Sequence, residues 1–143
     1  MKRLAALIAG SVLLASCGSQ SPASAVRSWV HSSSFVANSH QLRLDAHQAA
    51  LTLRNAGASA RDLHTVCAVL SVDALAANAS LPTPDEQLTN DLAASYNALG
   101  NAANVCYDAG SSARLRSRAL GFLVAGVGGL ASSALRASVV ERG

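Results

Sequence analysis

The sequence contains very few aromatic residues. Its 143 residues include one Trp, two Tyr and two Phe, whereas hydrophobic residues make up 50% of the chain. Alanine supplies much of that share, and alanine favours helix because its side chain loses no rotamer entropy there. A core of alanine and leucine buries little area per residue. We therefore expect a single small helical domain of modest stability.

Basic residues are also scarce once the extreme N-terminus is set aside. Lys2 is the only lysine, and the chain beyond Arg3 carries nine arginines against eight acidic residues. A protein that binds nucleic acid usually shows a basic patch, often with aromatic side chains that stack on bases. The near-neutral balance and the few aromatic residues argue against a nucleic-acid partner.

The motifs of common catalytic and metal sites are missing as well. There is no G-x-S-x-G sequence, no C-x-x-C pair and no lysine beyond Lys2 that could activate a serine. His40 and His47 are seven residues apart, which separates their backbones by ~10 Å along a helix. That distance is too long for both to bind one ion directly. We expect no catalytic residue, no metal and no cofactor other than a covalent lipid.

Residues 1–16 have the layout of an export signal. Lys2 and Arg3 supply the positive charge, an apolar run follows from Leu4 to Leu14, and small residues come next. The apolar run is too short to span a bilayer, which needs ~20 residues. A buried N-terminal helix is the alternative, but two cations at its start would serve no core helix. We predict a signal peptide over residues 1–16.

The four residues Leu14-Ala15-Ser16-Cys17 resemble the lipobox of bacterial lipoproteins. That resemblance implies a diacylglycerol on the Cys17 thiol, cleavage between Ser16 and Cys17, and an acyl group on the new N-terminus. An ordinary export peptidase would meet a leucine three residues before the cut, which it rejects. Ala23-Ser24-Ala25 offers such a peptidase a better site, with a soluble secreted product, but it lies further from the apolar run than is usual.

The segment after the lipobox is small, polar and uncharged. GSQSPASA, residues 18–25, would span on the order of 16 Å as a flexible coil. The predicted organisation is therefore a lipidated N-terminus and tether over residues 17–25, followed by a helical domain over residues 26–143.

Cys67 and Cys106 remain once Cys17 carries lipid. Thiols pair in the oxidising compartment that an exported chain enters, so we predict a disulfide between these two residues, with two buried free thiols as the alternative. A turn centred near Pro82 would place Cys67 opposite residue 97, and the nine-residue offset corresponds to ~13 Å. The bridge therefore requires a shortened or shifted second helix.

Between these landmarks the apolar residues recur with helical period, and no stretch alternates with period two. The predicted fold is all-α, a four-helix up-down bundle. Gly57 and Gly110 are expected to end helices, and the serine run at residues 32–34 is a candidate break in the first helix. The predicted helix starts are Ser21-Pro22, Ser59 with Asp62, Thr83-Pro84 with Glu86, and Ser111 or Ser112.

The last predicted helix has an uncharged run from Ala119 to Leu135 with arginines on both sides. We expect a buried bundle helix. A membrane-contacting helix and a true membrane span are the alternatives, because the run has the minimum length for a span. Small residues at Gly121, Ala125, Gly129 and Ser133 form a row that predicts close contact with another helix.

Several features together resemble small alanine-rich helical lipoproteins of actinobacteria. They are the lipobox leader, Trp29, a cysteine in the second helix, the Leu-Pro-Thr-Pro-Asp turn at 81–85, and Cys106-Tyr107 at the end of the third helix. The resemblance implies a location and a fold, but no activity.

The expected function follows from these features. The chain is predicted to be a non-enzymatic binding or structural module, anchored by lipid to the outer face of the cell membrane and contacting another envelope component. A carrier of a small apolar ligand or lipid within the bundle is the alternative. An envelope hydrolase is less favoured, and would need a cleft that gathers His40, His47 or His64 with Asp45 or Asp62.

Overall fold

The computed structural model describes residues 20–143, which form five α-helices and contain no strand. The predicted all-helical fold is confirmed. The number of helices differs from the predicted four, because the first predicted helix is two helices in the structure. The helices are α1 (Pro22–Ser32), α2 (Phe35–Arg54), α3 (Ala60–Asn78), α4 (Glu86–Tyr107) and α5 (Ala113–Arg142).

The break between α1 and α2 lies at the serine run. Ser34 has a φ of 54°, in the left-handed region, where a helix cannot continue. The Ser33 hydroxyl donates a 2.7 Å hydrogen bond to the Trp29 carbonyl, so this side chain satisfies a carbonyl at the end of α1. Serine competes with the helix for backbone hydrogen bonds in this way. The candidate break at residues 32–34 is thus present.

Most predicted helix starts are found where the local signals place them. Ser21 accepts a hydrogen bond from Ser24, and Ser112 accepts one from Leu115. Ser59 and Asp62 form a reciprocal capping box. Because α1 begins at Pro22, the last four residues of the predicted tether, 22–25, belong to this helix.

The predicted cap of α4 was wrong. Asp85, not Thr83, is the N-cap, and its carboxylate accepts a 2.7 Å hydrogen bond from the Leu88 N–H. The Thr83 hydroxyl accepts instead from the Asp85 N–H and lies 3.0 Å from the Thr89 hydroxyl. The Arg136 guanidinium and the Leu88 N–H hold the pKa of Asp85 below its ordinary value. Two hydrogen bonds of 2.9 and 3.2 Å from Arg136 tie the end of α5 to this cap.

The core consists of leucines separated by alanines, as the composition predicts. Small side chains between the leucines allow the helices to approach closely. The fully buried leucines are Leu42, Leu63, Leu70, Leu88, Leu92, Leu99 and Leu130.

Two glycines allow the close approach of α5 to α4. A Cβ added at Gly126 would lie 2.6 Å from Leu99 Cγ, and one at Gly129 would clash with the Ser95 hydroxyl. The predicted row of small residues is divided between two environments. Gly129 faces α4 and Ser133 is buried, whereas Gly121 and Ala125 are exposed. Residues four apart advance by 400°, not a full number of turns, so the row winds from the surface into the contact.

We predict opposite effects for alanine at two glycines of α5. Gly126→Ala should lower the free energy of unfolding by roughly 1–2 kcal/mol, because overpacking against Leu99 outweighs the gain in helix propensity. Gly128→Ala should raise it by about 0.5–1 kcal/mol, since nothing lies within 4 Å of the added Cβ. Urea unfolding followed by circular dichroism measures both. A Gly126→Ala variant as stable as Gly128→Ala would contradict this packing.

A single arginine closes the end of the domain where α5 begins. The Arg116 guanidinium donates to the carbonyls of Gly110 and Asn55, both at 2.7 Å, and to those of Leu53 and Ala58, both at 3.3 Å. These carbonyls belong to the end of α2, the α2–α3 loop and the α4–α5 loop. Arg116 therefore holds three chain segments together and satisfies carbonyls that the helix end leaves free.

At the opposite end of the domain, α1 packs against the α3–α4 connection. The Trp29 indole N–H donates a 3.1 Å hydrogen bond to the Ser80 carbonyl, and its ring packs 5.2 Å from that of Phe35. Arg27 donates a 2.7 Å hydrogen bond to the Glu141 carbonyl near the end of α5. Helix α1 therefore contacts both the α3–α4 connection and the C-terminal end of α5.

Candidate functional surface

Cys67 and Cys106 lie at disulfide distance across the α3–α4 contact. Their Cα atoms are 6.0 Å apart, and each residue is 1% exposed. Helix α3 ends at Asn78 and α4 begins at Glu86, so the predicted nine-residue offset between the two cysteines is present. The segment that connects α3 to α4 accommodates this offset. It runs beside the first turns of α4, where the Thr83 N–H donates a 2.9 Å hydrogen bond to the Thr89 hydroxyl.

An aromatic stack continues this contact to the surface. The rings of His64 and Tyr107 are 4.0 Å apart at their centroids and 8° from parallel. His64 precedes Cys67 by three residues on α3, and Tyr107 directly follows Cys106 on α4. Both side chains are exposed, so the stack supports the junction and encloses no site.

The predicted lipid attachment site lies outside the described residues. Ser16 and Cys17, the cleavage position between them and the signal peptide all precede residue 20, where the description begins. They remain predictions from the sequence.

The candidate metal ligands of the described part of the chain are dispersed. All four histidines, His31, His40, His47 and His64, are exposed. Residues 20–143 contain no group of three or more His, Cys, Asp or Glu side chains arranged to hold a metal ion. Asp62 lines a groove of about 410 Å³ between α2 and α3 that contains no histidine. Its carboxylate is engaged by Ser59, whose hydrogen bonds lower the pKa of Asp62.

A pair of acidic residues between α2 and α3 was not predicted from the sequence. Asp45 Oδ1 accepts a 2.9 Å hydrogen bond from Gln41, whereas its Oδ2 is buried and has no partner. Burial raises the pKa of Asp45, and the neighbouring Asp73 carboxyl raises it further. The arrangement disfavours the charged form of Asp45. No nucleophile or third ligand joins this pair in the grooves described, so we assign it no chemistry.

The grooves of the described domain are open to solvent. The larger ones have volumes of about 410, 340 and 300 Å³ and lie between neighbouring helices at the surface. The leucines that would have to line an internal ligand site are packed against one another. Nothing in this geometry favours the carrier alternative.

The charges of the domain are distributed unevenly between its helices. Helix α5 carries five arginines and one glutamate, whereas α3 and α4 together carry one arginine and four acidic residues. Arg43 and Arg54 of α2 border the grooves that α2 forms with α5. One side of the domain is therefore basic and the other acidic, although the whole is nearly neutral.

The outward side of α5 is an uncharged surface between arginines. We define the α5 face by its exposed residues Gly121, Val124, Gly128, Ala131, Leu135 and Val139. Within residues 20–143, α5 is the one helix long and apolar enough to cross a membrane by length and composition. Only 28% of its most apolar window is buried. Part of the apolar surface of this helix therefore faces away from the core.

Comparisons of the chain with protein-family models, with curated proteins and with solved structures found no match. The function proposed below therefore rests on the residues and on their geometry.

Proposed function

We propose that the chain is an exported bacterial lipoprotein, held by a diacylglycerol on Cys17 at the outer face of the cell membrane. In this proposal it acts as a non-enzymatic binding or structural module of the envelope. The signal layout of residues 1–16 and the lipobox Leu14–Cys17 support the location. The likeness to small actinobacterial lipoproteins supports the same location.

The distribution of the three cysteines carries the proposal. The two cysteines of the folded domain, Cys67 and Cys106, lie at bonding distance from each other and away from solvent. Cys17 is the third, and it ends a lipobox four residues before the N-cap of α1 at Ser21. One cysteine for lipid and two for a disulfide is the pattern expected of an anchored protein in an oxidising compartment.

For the fold, we propose that α2 to α5 form an up-down bundle and that α1 braces one end of it. Arg116 supports this arrangement because it links the start of α5 to the end of α2. The Asp85–Arg136 ion pair supports it at the other end, since it links the start of α4 to the end of α5.

The exposed apolar side chains favour binding over an enclosed carrier. Val72 and Leu75 of α3 are 63% and 69% exposed, and Val124 of α5 is 70% exposed. A carrier would direct such side chains toward an internal cavity. In this domain they face outward, where they can contact other envelope components.

Mass spectrometry of the mature protein from a bacterial envelope tests the proposal. We expect an N-terminal peptide that begins at Cys17 and carries the mass of a diacylglycerol, with or without a further acyl group. The peptides of Cys67 and Cys106 should be linked until reductant is added. A Cys17→Ser variant, which cannot be lipidated, should keep its signal peptide. A mature chain that begins at Val26 without lipid would instead identify a secreted protein.

A further inference from the structure

We infer that the α5 face lies on the anionic lipid surface of the membrane that holds the anchor. The domain then rests on the bilayer on this side, and α3 and α4 are turned away from it. This inference rests on the membrane location proposed above and adds a defined protein surface to the lipid attachment.

The length and the exposed side chains of the α5 face suit contact with a lipid surface. From Gly121 to Val139 it extends about 27 Å without a charged side chain. Gly121 and Gly128 have nothing within 4 Å of an added Cβ, unlike Gly126 and Gly129, which contact α4. The face therefore carries no side chain at these two positions, and its larger side chains project outward. Val124, Leu135 and Val139 are 70%, 65% and 54% exposed.

The charges around the α5 face match an anionic surface. Arg114 and Arg118 lie at its N-terminal end and Arg142 at its C-terminal end, and all three are exposed. Arg43 and Arg54 of α2 extend the basic border along one side, where Glu141 also lines the groove, and Asp91 of α4 lines the groove on the other side. Uncharged apolar surface between arginines is the pattern of helices that lie in the membrane interface.

The position of the anchor agrees with this orientation. Cys17 lies four residues before Ser21, a distance of at most about 14 Å when extended. Helix α1, which follows, is tied to the end of α5 by the hydrogen bond from Arg27 to the Glu141 carbonyl. The described chain therefore brings α1, which starts a few residues after the proposed lipid site, to the C-terminal end of α5.

A second copy of the chain fits this surface less well. Two α5 faces packed antiparallel about Gly128 would bring Arg114 of each copy opposite Arg142 of the other, and a parallel pair would bring each arginine against its own equivalent. Like charges would therefore meet at both ends. A transmembrane α5 is also disfavoured, because it would have to give up the packing of Leu123 and Leu130 and the Asp85–Arg136 ion pair.

The test places a tryptophan on the α5 face of the full-length, lipidated protein. Val124→Trp and Leu135→Trp are compared with Val72→Trp, a control on α3 of similar exposure. The proteins are reconstituted into phosphatidylcholine vesicles containing phosphatidylglycerol brominated on its acyl chains. The unsubstituted protein gives the background from Trp29. We expect strong quenching of Val124→Trp and Leu135→Trp, since an interfacial side chain lies ~5–10 Å into the lipid, and little quenching of Val72→Trp.

The arginines provide a second measurement on the same vesicles. Replacement of Arg114, Arg118 and Arg142 by Gln should weaken the lipid-facing state roughly fivefold per residue and so reduce quenching at position 124. Equal quenching of the α3 control, or none on α5, would overturn the inference. A shift in tryptophan emission that does not depend on brominated lipid, and that increases with the number of protein molecules per vesicle, would instead identify contact with a second copy of the chain.

The two proposals fail in different ways. A protein with lipid on Cys17 and an unquenched Val124→Trp side chain would refute the α5 face and leave the anchor intact. Quenching on α5 in a chain without lipid would refute the anchor and support the membrane-facing surface.

Discussion

Replacing both Cys67 and Cys106 by alanine should lower the free energy of unfolding by about 4 kcal/mol. The predicted disulfide would close a segment of 39 residues, so its removal returns conformational entropy to the unfolded chain. The effect is large for a small domain, whose total stability is roughly 5–15 kcal/mol. Alanine is preferred to serine because both positions are 1% exposed and would bury an unpaired hydroxyl.

Urea unfolding of the mature protein, with and without dithiothreitol, measures this contribution. Reductant should destabilise the unsubstituted protein by an amount similar to the double replacement and should leave the double variant unchanged. An unsubstituted protein with the same urea midpoint in reductant would show that the two thiols are not joined in solution.

The second large effect is expected at Arg116. Arg116→Ala should lower the free energy of unfolding by about 3 kcal/mol, because carbonyls from three segments lose a charged donor at once. The individual hydrogen bonds are not additive, since they share one side chain. Arg116→Lys should be intermediate, because a single ammonium group cannot reproduce the planar set of donors.

Arg114→Ala is the matched control for Arg116. It removes an exposed arginine from the same turn of α5, and we expect a change within about 0.5 kcal/mol. Equilibrium unfolding in urea compares the three variants. If the Arg114 and Arg116 variants unfold at the same midpoint, the carbonyl cluster contributes no net stability.

The helix caps and the helical character of the core could be predicted from the sequence. Ser59 with Asp62 and Ser112 mark helix starts correctly, because a cap depends on residues three or four positions away. The leucine and alanine pattern likewise indicates a helical core. These features are determined within one or two turns of chain, and tertiary context does not override them.

Features that depend on contacts between residues far apart in the sequence could not be predicted. Thr83 has the sequence context of a cap, but Asp85 takes that position and binds Arg136, which lies 51 residues away. Asp45 and Asp73 meet only after α2 and α3 pack. Arg116 appears in sequence as one of several flanking arginines, and its role depends on two loops that fold around it. Helix periodicity also does not predict how the α3–α4 connection accommodates the nine-residue offset between Cys67 and Cys106.

The contact between α1 and the end of α5 has a consequence for the order of events during synthesis. An isolated helix of 11 residues is only marginally stable in water. The partner of Arg27 is the carbonyl of Glu141, 114 residues later in the chain. Helix α1 therefore cannot dock on α5 until the chain has been synthesised as far as Glu141.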